Sequence, residues 1–215
     1  MRILIADDHG IVRQGLRHLL DEQQNMEVVG EAEDGVTAVR LVRQLKPDVV
    51  IMDISMPNLN GIQATQLILS ELPQTKIIAL SMYWNKHFAA EMLKAGALGY
   101  VLKGHLFDEL VRAINTVAQG GHYLSPQITD ILVEDYVSGR QPPKDSGITG
   151  LTTRECCILQ LIAEGKSTKE IAKALNISPK TADAGRRRIM EKLDLHSVAE
   201  LTKYAIREGL TSLEF

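Results

Sequence analysis

The sequence predicts an α/β domain built on a parallel sheet, followed by a small domain made only of helices. Apolar runs alternate with amphipathic stretches five times, and the central runs are apolar on both faces, as a sheet covered by helices on each side requires. From Leu151 onward only helical patterns remain. A chain of 215 residues is long enough to bury two separate cores.

Each predicted strand of the first domain precedes a predicted helix. In chain order the strands read RILIA, VVGEA, DVVIMDI, KIIALS and GYVLK. The helices that follow them begin at Gly10, Gly35, Gly61, His87 and Leu106. Because strand-helix-strand connections are right-handed, this (βα)5 pattern places helices on both faces of one parallel sheet.

The pattern changes after residue 120. One further helix is predicted to start at Pro126, with Ser125 as its N-cap. The Pro, Gly and Ser content of residues 138–147 is typical of a flexible tether. We therefore divide the chain into a first domain at 1–120, a linker with a helix at 121–147 and a second domain at 148–215.

Four helical patterns separated by short turns fill the second domain. They read TRECCILQLIAEG, KEIAKALN, PKTADAGRRRIMEKL and VAELTKYAIREG. The turn between the second and third patterns is short, with Ser178 as the N-cap and Pro179 at the first position of the third helix. Two helices joined in this way predict a helix-turn-helix, whose second helix fits a DNA major groove.

Composition excludes disorder and favours a cytoplasmic protein. Hydrophobic residues make up 45% and charged residues 24% of the chain, no apolar run approaches the roughly 20 residues of a membrane helix, and the start MRILIADDH does not resemble a signal peptide. The adjacent Cys156 and Cys157 predict helix packing, with redox sensing as the alternative. Residues 147–215 carry 11 Lys+Arg against 9 Asp+Glu, whereas residues 1–146 carry 13 against 18, which is typical of an appended nucleic-acid module.

Five polar residues follow four of the predicted strands directly: Asp7, Asp8, Asp53, Ser81 and Lys103. Since the carboxyl ends of parallel strands meet at one edge of a sheet, we expect these side chains to lie together. Three carboxylates repel one another unless a cation or a basic side chain neutralises them. Hard oxygen ligands favour Mg²⁺ with phosphate oxygens, so the sequence predicts phosphoryl chemistry at this edge.

In this chemistry Asp53 is the nucleophile that forms an aspartyl phosphate, while Lys103 and Ser81 bind the phosphoryl oxygens. Each residue also has an ordinary structural interpretation. Asp8 and Ser81 are possible helix caps, Asp53 a possible turn residue, and Lys103 a possible solvated surface lysine.

Residues 1–120 resemble the receiver domain of response regulators. The resemblance rests on the Asp-Asp pair, on DISMPNLNG, on ALS, on KAGALGY and on Lys103. It implies a flavodoxin-like fold, with Asp53 as phosphoacceptor. It further implies that Asp7, Asp8, Asp53 and the main-chain carbonyl of Ser55 bind Mg²⁺. Ser81 and Tyr100 would form a switch pair, although Tyr100 is also interpretable as a half-buried strand aromatic.

The third helix of the second domain carries a basic face. Counting at 3.6 residues per turn places Ala182, Ile189 and Leu193 inward. It places Lys180, Asp183, Ala184, Arg187 and Arg188 outward. Basic side chains in this position neutralise phosphates and read guanine edges, but a solvated basic face is the alternative interpretation.

Residues 148–212 resemble the LuxR-type helix-turn-helix, on the motifs LTTRE, AEGKSTKEIA, ISPKT and IMEKL. With both regions taken together, the chain resembles the NarL/FixJ class of response regulators. They imply contact with double-stranded DNA through Lys169, Lys180, Thr181, Asp183, Ala184, Arg187 and Arg188. Ala182, Asp183 and Gly185 depart from the usual residues of the family, so the resemblance does not extend to the operator sequence.

The resemblance also implies a homodimer on DNA through the last helix, with Val198, Leu201 and Ala205 in the contact. Packing inside the domain is the alternative for this stripe. We therefore predict a transcription regulator, phosphorylated on Asp53 by a sensor histidine kinase and not itself an enzyme. The rival hypotheses are a receiver that acts through protein contacts without DNA and a Mg²⁺-dependent phosphatase.

Overall fold

The computed structural model describes residues 1–81, 86–137, 151–175, 177–208 and 210–211. The chain divides into two compact units, Met1–Arg140 and Gln141–Phe215. The tether predicted at 138–147 lies outside the described residues. Among the helices that are described, none combines the length and apolar character that a bilayer span requires.

In the described part of the first unit, six parallel strands form one sheet in the order β2-β1-β3-β4-β5-β6. They are β1 (Arg2–Ala6), β2 (Glu27–Ala32), β3 (Val49–Asp53), β4 (Lys76–Ser81), β5 (Gly99–Leu102) and β6 (Tyr123–Leu124). The five predicted strands are confirmed. Every residue of β3 is buried, which explains why this segment reads as a continuous apolar run.

Six helices of the described first unit surround the sheet: α1 (Gly10–Asp21), α2 (Gly35–Leu45), α3 (Gly61–Glu71), α4 (Lys86–Lys94), α5 (Leu106–Ala118) and α6 (Pro126–Val137). The side chains of Asp34 and Asn60 cap α2 and α3 by accepting hydrogen bonds from main-chain N–H groups of the first turn. One core forms where Leu16 and Leu20 of α1 and Ile114 of α5 join residues of the central strands. The predicted (βα)5 fold is thereby confirmed.

The structure differs from the sequence prediction at the end of the first domain. The sequence places this boundary at residue 120, whereas the compact unit continues through β6 and α6. The main-chain N–H of Tyr123 donates to Leu98 and that of Ser125 donates to Tyr100, which extends the sheet by a short parallel strand. A two-residue strand carries no alternation of apolar and polar residues, so its pattern is invisible in the sequence.

Ser125 joins three elements of this extension. Helix α6 starts at Pro126, as predicted, but the Ser125 hydroxyl is used elsewhere. It accepts a hydrogen bond from the Leu102 N–H at 3.1 Å and donates one to the carboxylate of Glu109 on α5. Ser125 is fully buried and Glu109 almost so, which makes this an interior polar contact between β5, α5 and the start of α6.

The second unit consists, in its described part, of α7 (Thr153–Ala163), α8 (Thr168–Ala174), α9 (Pro179–Leu193) and α10 (Val198–Arg207). Capping boxes begin α7, α8 and α10, and the predicted caps of α9, Ser178 and Pro179, are confirmed. Helix α7 packs against α9 and α10 and carries Cys156 and Cys157, which are buried and form no disulfide. The helix-turn-helix is formed by α8 and α9.

We expect Ser125→Ala to destabilise the first unit by about 1–3 kcal/mol, because it leaves the Leu102 N–H and the Glu109 carboxylate without this buried partner. Urea unfolding followed by far-UV circular dichroism measures the difference. Ser70→Ala is the matched control, because the Ser70 hydroxyl bonds only an exposed carbonyl of its own helix. Equal stability of the two variants would contradict the prediction.

Candidate functional site

Two buried carboxylates meet at the carboxyl edge of the sheet. Asp7 follows β1 and is fully buried, and Asp53 ends β3 with 3% exposure. They lie together because β1 and β3 are parallel neighbours. Single ligand atoms of Asp7, Asp8, His9 and Asp53 all lie within 4.8 Å of one another. The sequence prediction of a carboxylate cluster is therefore correct.

Lys103 is the basic side chain of this cluster. It lies in the 3₁₀ turn Lys103–His105, which follows β5, and its Nζ is 2.8 Å from Asp7 Oδ2 and 3.1 Å from Asp53 Oδ2. Its side chain is only 4% exposed, so Lys103 is not a solvated surface lysine. Burial of the ammonium group lowers the pKa of Lys103, but Asp53 and Asp7 outweigh this and hold the pKa above its ordinary value. We call Asp7, Asp8, Asp53 and Lys103 the acidic pocket.

The ionisation of Asp53 is strongly perturbed. Burial raises the pKa of Asp53 to about 7, the Lys103 ammonium opposes this rise, and the charges of Asp7 and Asp8 add to it. Burial is the largest cause, and the single Lys103 ammonium group, shared between two buried carboxylates, offsets it only in part. The acidic pocket therefore carries excess negative charge, which a divalent cation would neutralise.

The sequence prediction missed two neighbours of the acidic pocket. His9 Nδ1 lies 2.7 Å from Asp8 Oδ1, and the His9 main-chain N–H donates to Asp7 Oδ1 at 2.9 Å. The Arg13 guanidinium donates to the Asp7 main-chain carbonyl at 2.6 Å. His9 directly follows the Asp pair as the N-cap of α1, and Arg13 lies in the first turn of that helix, so their closeness in sequence to the Asp pair was the available signal.

Ser81 and Tyr100, the predicted switch pair, lie next to each other. Ser81 ends β4, Tyr100 lies in β5, and both are buried. Burial raises the pKa of Tyr100, a hydrogen bond with Ser81 lowers it, and the Asp53 carboxylate raises it. The Tyr100 ring is fully buried rather than half-buried as in the alternative interpretation.

The loop after Asp53 is fixed by a close contact with α3. The Gly61 N–H donates to the Ile54 carbonyl at 2.9 Å. A Cβ at Gly61 would lie 2.0 Å from the main-chain oxygen of Asp53, so glycine is required sterically. The same loop contains Ser55, half-buried two residues after Asp53, where the sequence predicts a main-chain metal ligand.

The predicted DNA-contacting residues lie on the exposed side of the helix-turn-helix. Ala182 and Ile189 are buried, as predicted, and Leu193 is half-buried. Asp183 and Ala184 are half-buried, while Lys169, Lys180, Thr181, Arg187 and Arg188 are exposed. The structure thus places the basic side chains of α8 and α9 where a ligand can reach them.

Gly185 has a packing role that the sequence did not reveal. It is buried, and a Cβ at this position would lie 2.5 Å from Cδ1 of Ile158 on α7. Glycine therefore lets α9 pack closely on α7, which accounts for one departure from the usual family residues.

The prediction for the dimer contact needs correction. Leu201 and Ala205 are fully buried inside the second unit, because α10 packs this side against α7. These two side chains are therefore core residues and not a surface for a second chain. Val198 is 48% exposed at the start of α10 and is the predicted residue that reaches the surface.

A buried acidic pocket with a shared lysine, followed in the chain by a helix-turn-helix, defines a phosphoacceptor joined to a DNA-binding module. Residues 3–115 match the family described as response regulator receiver domain, and residues 149–205 match bacterial regulatory proteins of the luxR family. The chain belongs to the two-component response regulators with a LuxR-type DNA-binding domain. It is a phosphoacceptor regulator and not a catalytic enzyme, which removes the phosphatase hypothesis.

Full-length relatives and solved structures agree with this classification. The chain is 43% identical to the oxygen regulatory protein NreC of Staphylococcus carnosus over 216 residues, which cover 98% of this chain and 99% of the relative. A structure of RcsB from Salmonella typhimurium matches with a TM-score of 0.74 and 31% identity, over 98% of each chain. RcsB from Salmonella enterica serovar Typhimurium, bound to promoter rprA with the phosphomimetic BeF3-, matches with a TM-score of 0.70 and 32% identity, over 95% of this chain and 98% of that one.

The pKa of Asp53 predicts a pH-dependent stability of the metal-free protein. Because the folded-state pKa lies above that of the unfolded chain, folding takes up a proton, and this stabilisation is lost as pH rises through about 7. We expect Asp53→Asn to become more stable relative to wild type between pH 5 and pH 8, by on the order of a few kcal/mol. Urea unfolding in EDTA measures this difference. Asp21→Asn, an exposed site with the same charge change, should show no such trend.

We expect Gly61→Ala to destabilise the first unit by roughly 1–3 kcal/mol, because the added methyl group must displace the Asp53 main chain. Gly104→Ala is the control, since no described atom lies within 4 Å of a Cβ there. Thermal unfolding monitored by far-UV circular dichroism compares the two variants. A Gly61→Ala protein as stable as Gly104→Ala would show that the loop after Asp53 adapts freely.

Proposed function

We propose that Asp53 accepts a phosphoryl group from a sensor histidine kinase, and that this modification controls the binding of α9 to double-stranded DNA. One observation carries the proposal. The Asp53 carboxylate ends a buried strand, ion-paired to Lys103 and close to the carboxylates of Asp7 and Asp8. This arrangement supplies a nucleophile, a positive charge for phosphoryl oxygens and a set of hard oxygen ligands.

The transfer is a nucleophilic displacement at phosphorus. A carboxylate oxygen of Asp53 forms the O–P bond while the N–P bond of a phosphohistidine breaks, and the imidazole nitrogen of the donor retains the electron pair. Lys103 is already held at the pocket, so its ammonium group faces the incoming phosphoryl oxygens without reorganisation. A bound cation would lower the raised pKa of Asp53 and so favour the ionised, nucleophilic carboxylate near neutral pH.

We assign Mg²⁺ as the cation of the acidic pocket. Asp7, Asp8 and Asp53 provide the hard oxygen ligands, and the Ser55 main-chain carbonyl lies in the adjoining loop. The excess negative charge described above supports this assignment. When bound, Mg²⁺ would neutralise negative charge on the phosphoryl oxygens.

Ser81 and Tyr100 are the proposed switch residues. In the structure the Ser81 hydroxyl is engaged with Tyr100, one strand away from Asp53. A phosphoryl group on Asp53 brings further negative charge and strong acceptor oxygens that compete for this hydroxyl. Loss of the Ser81 contact changes the environment of Tyr100 in β5, which pairs with β6 at the start of α6.

For DNA binding we propose that α9 enters the major groove, as in other helix-turn-helix proteins. The proposed contacts are Lys169, Lys180, Thr181, Asp183, Ala184, Arg187 and Arg188. A homodimer would present two such helices to successive half-sites, and Val198 is the candidate for its contact. RcsB, a similar protein, has been solved with DNA and as dimers on DNA. We place the protein in the cytoplasm, together with its DNA and kinase.

Asp53→Asn tests the function directly. With acetyl phosphate and Mg²⁺ we expect one phosphoryl group on the wild-type chain and none on Asp53→Asn, because an amide is not a nucleophile toward phosphorus. Intact-protein mass spectrometry measures the modification. An electrophoretic shift assay on genomic fragments measures whether the phosphodonor increases DNA affinity, and we expect it to do so for wild type alone.

Asp21→Asn is the control, because it makes the same charge change at an exposed site. It should be phosphorylated like wild type. Phosphorylation of the Asp53→Asn variant would show that another residue is the phosphoacceptor. A wild-type chain that is phosphorylated but binds DNA equally in both states would support a receiver that acts through protein contacts.

A further inference from the structure

A second charge arrangement lies on α9, on the helix assigned to DNA. Asp183 Oδ1 is 2.8 Å from an Arg186 guanidinium nitrogen, and Asp183 Oδ2 is 2.8 Å from one of Arg187. One carboxylate therefore holds two of the three consecutive arginines of this helix. The spacing of three and four residues places both arginines beside the acid on adjacent turns.

The exposure of the three side chains determines how strong these pairs are. Asp183 is 28% and Arg186 39% exposed, so this pair is partly shielded from water. Arg187 is 78% exposed, and its pair with Asp183 is correspondingly weak. Contacts of this kind add little to folding, but a phosphate must break them before it can bind either arginine.

We infer that Asp183 is a specificity-determining residue, which lowers the affinity of α9 for DNA of arbitrary sequence by holding the guanidinium groups of Arg186 and Arg187. This inference rests on the proposed DNA-binding function. Binding to arbitrary sequences comes almost entirely from neutralised phosphates and released counterions. An acid that is ion-paired with two arginines leaves fewer basic groups for phosphate contacts, and so weakens the sequence-independent binding of DNA.

A specific site compensates for the acid. When phosphates or guanine edges take the arginines, the released Asp183 carboxylate can accept a hydrogen bond from the amino group of cytosine. DNA without a suitable base leaves the carboxylate facing the duplex without a donor, which is unfavourable. Lys180 and Arg188 are also exposed on α9, so this helix keeps basic side chains for phosphates.

Asp183→Asn tests the inference by keeping the shape of the side chain while removing its charge. The control is Glu191→Gln, which makes the same charge change at an exposed residue of α9 outside this arrangement. The full-length chain, loaded with Mg²⁺ and beryllium fluoride, is titrated against a labelled duplex of random sequence over a range of salt concentrations. Fluorescence anisotropy gives the affinity and its salt dependence.

We expect Asp183→Asn to bind random DNA roughly 3- to 10-fold more tightly, with a salt slope steeper by about one to two. Glu191→Gln should match wild type within about twofold, since it frees no arginine. The gain from Asp183→Asn should be smaller in an Arg187→Ala background than in wild type, which a merely structural role of Asp183 would not produce. On genomic fragments selected by the wild-type chain, the gain should be smaller than on random DNA.

The outcomes separate this inference from the proposed function. Equal effects of Asp183→Asn and Glu191→Gln would show that Asp183 acts only through the net charge of the chain, which would overturn the inference. Weaker binding of Asp183→Asn to random DNA would overturn it as well. If neither wild type nor any variant binds DNA in either state, the proposed DNA-binding function itself fails, and this inference fails with it.

Discussion

The shared ion pair of Lys103 with Asp7 and Asp53 is the constraint on which the first unit depends. All three side chains are nearly or fully buried, and a buried charge without its partner costs several kcal/mol. Lys103 follows β5, Asp7 follows β1 and Asp53 ends β3, so the carboxyl ends of three strands must stay aligned. One cation for two acids also leaves an excess of negative charge. The same contact therefore holds the sheet edge together and leaves the negative charge on which the proposed cation and phosphoryl site rests.

The loop between β3 and α3 is tied to this edge from two sides. A Cβ at Gly61 of α3 would lie 2.0 Å from the Asp53 main-chain oxygen, and a Cβ at Gly35 of α2 would lie 2.0 Å from the Leu59 main-chain oxygen. Both contacts involve main-chain atoms, so neither can relax by a change of rotamer. The position of the Asp53 carboxylate is consequently linked to the packing of two helices, and a displacement of the loop would move them as well.

The sequence predicted those features that depend on a residue's place along a strand or helix. Apolar runs located five strands, and the parallel order then brought Asp7, Asp53 and Lys103 together, because strand ends determine where such residues meet. It did not predict β6 or the Ser125–Glu109 hydrogen bond, since a two-residue strand has no periodicity. The interior position of Leu201 and the fit of Gly185 against Ile158 depend on which helix faces which, and the pattern of one helix does not specify this.

Each unit contains a shared ion pair. In the first unit one cation pairs with two acids, and in the second unit one acid pairs with two cations. The two arrangements also differ in how deeply they are buried. In the acidic pocket one cation serves two acids, and its burial makes the charge imbalance large enough to shift the pKa of Asp53. On α9 one acid, Asp183, serves two cations near the surface, where water keeps the interaction weak. A weak pair has little influence on folding but competes directly with phosphate for the same guanidinium groups. The buried arrangement therefore supports the proposed phosphorylation switch, and the exposed arrangement supports the proposed adjustment of DNA affinity.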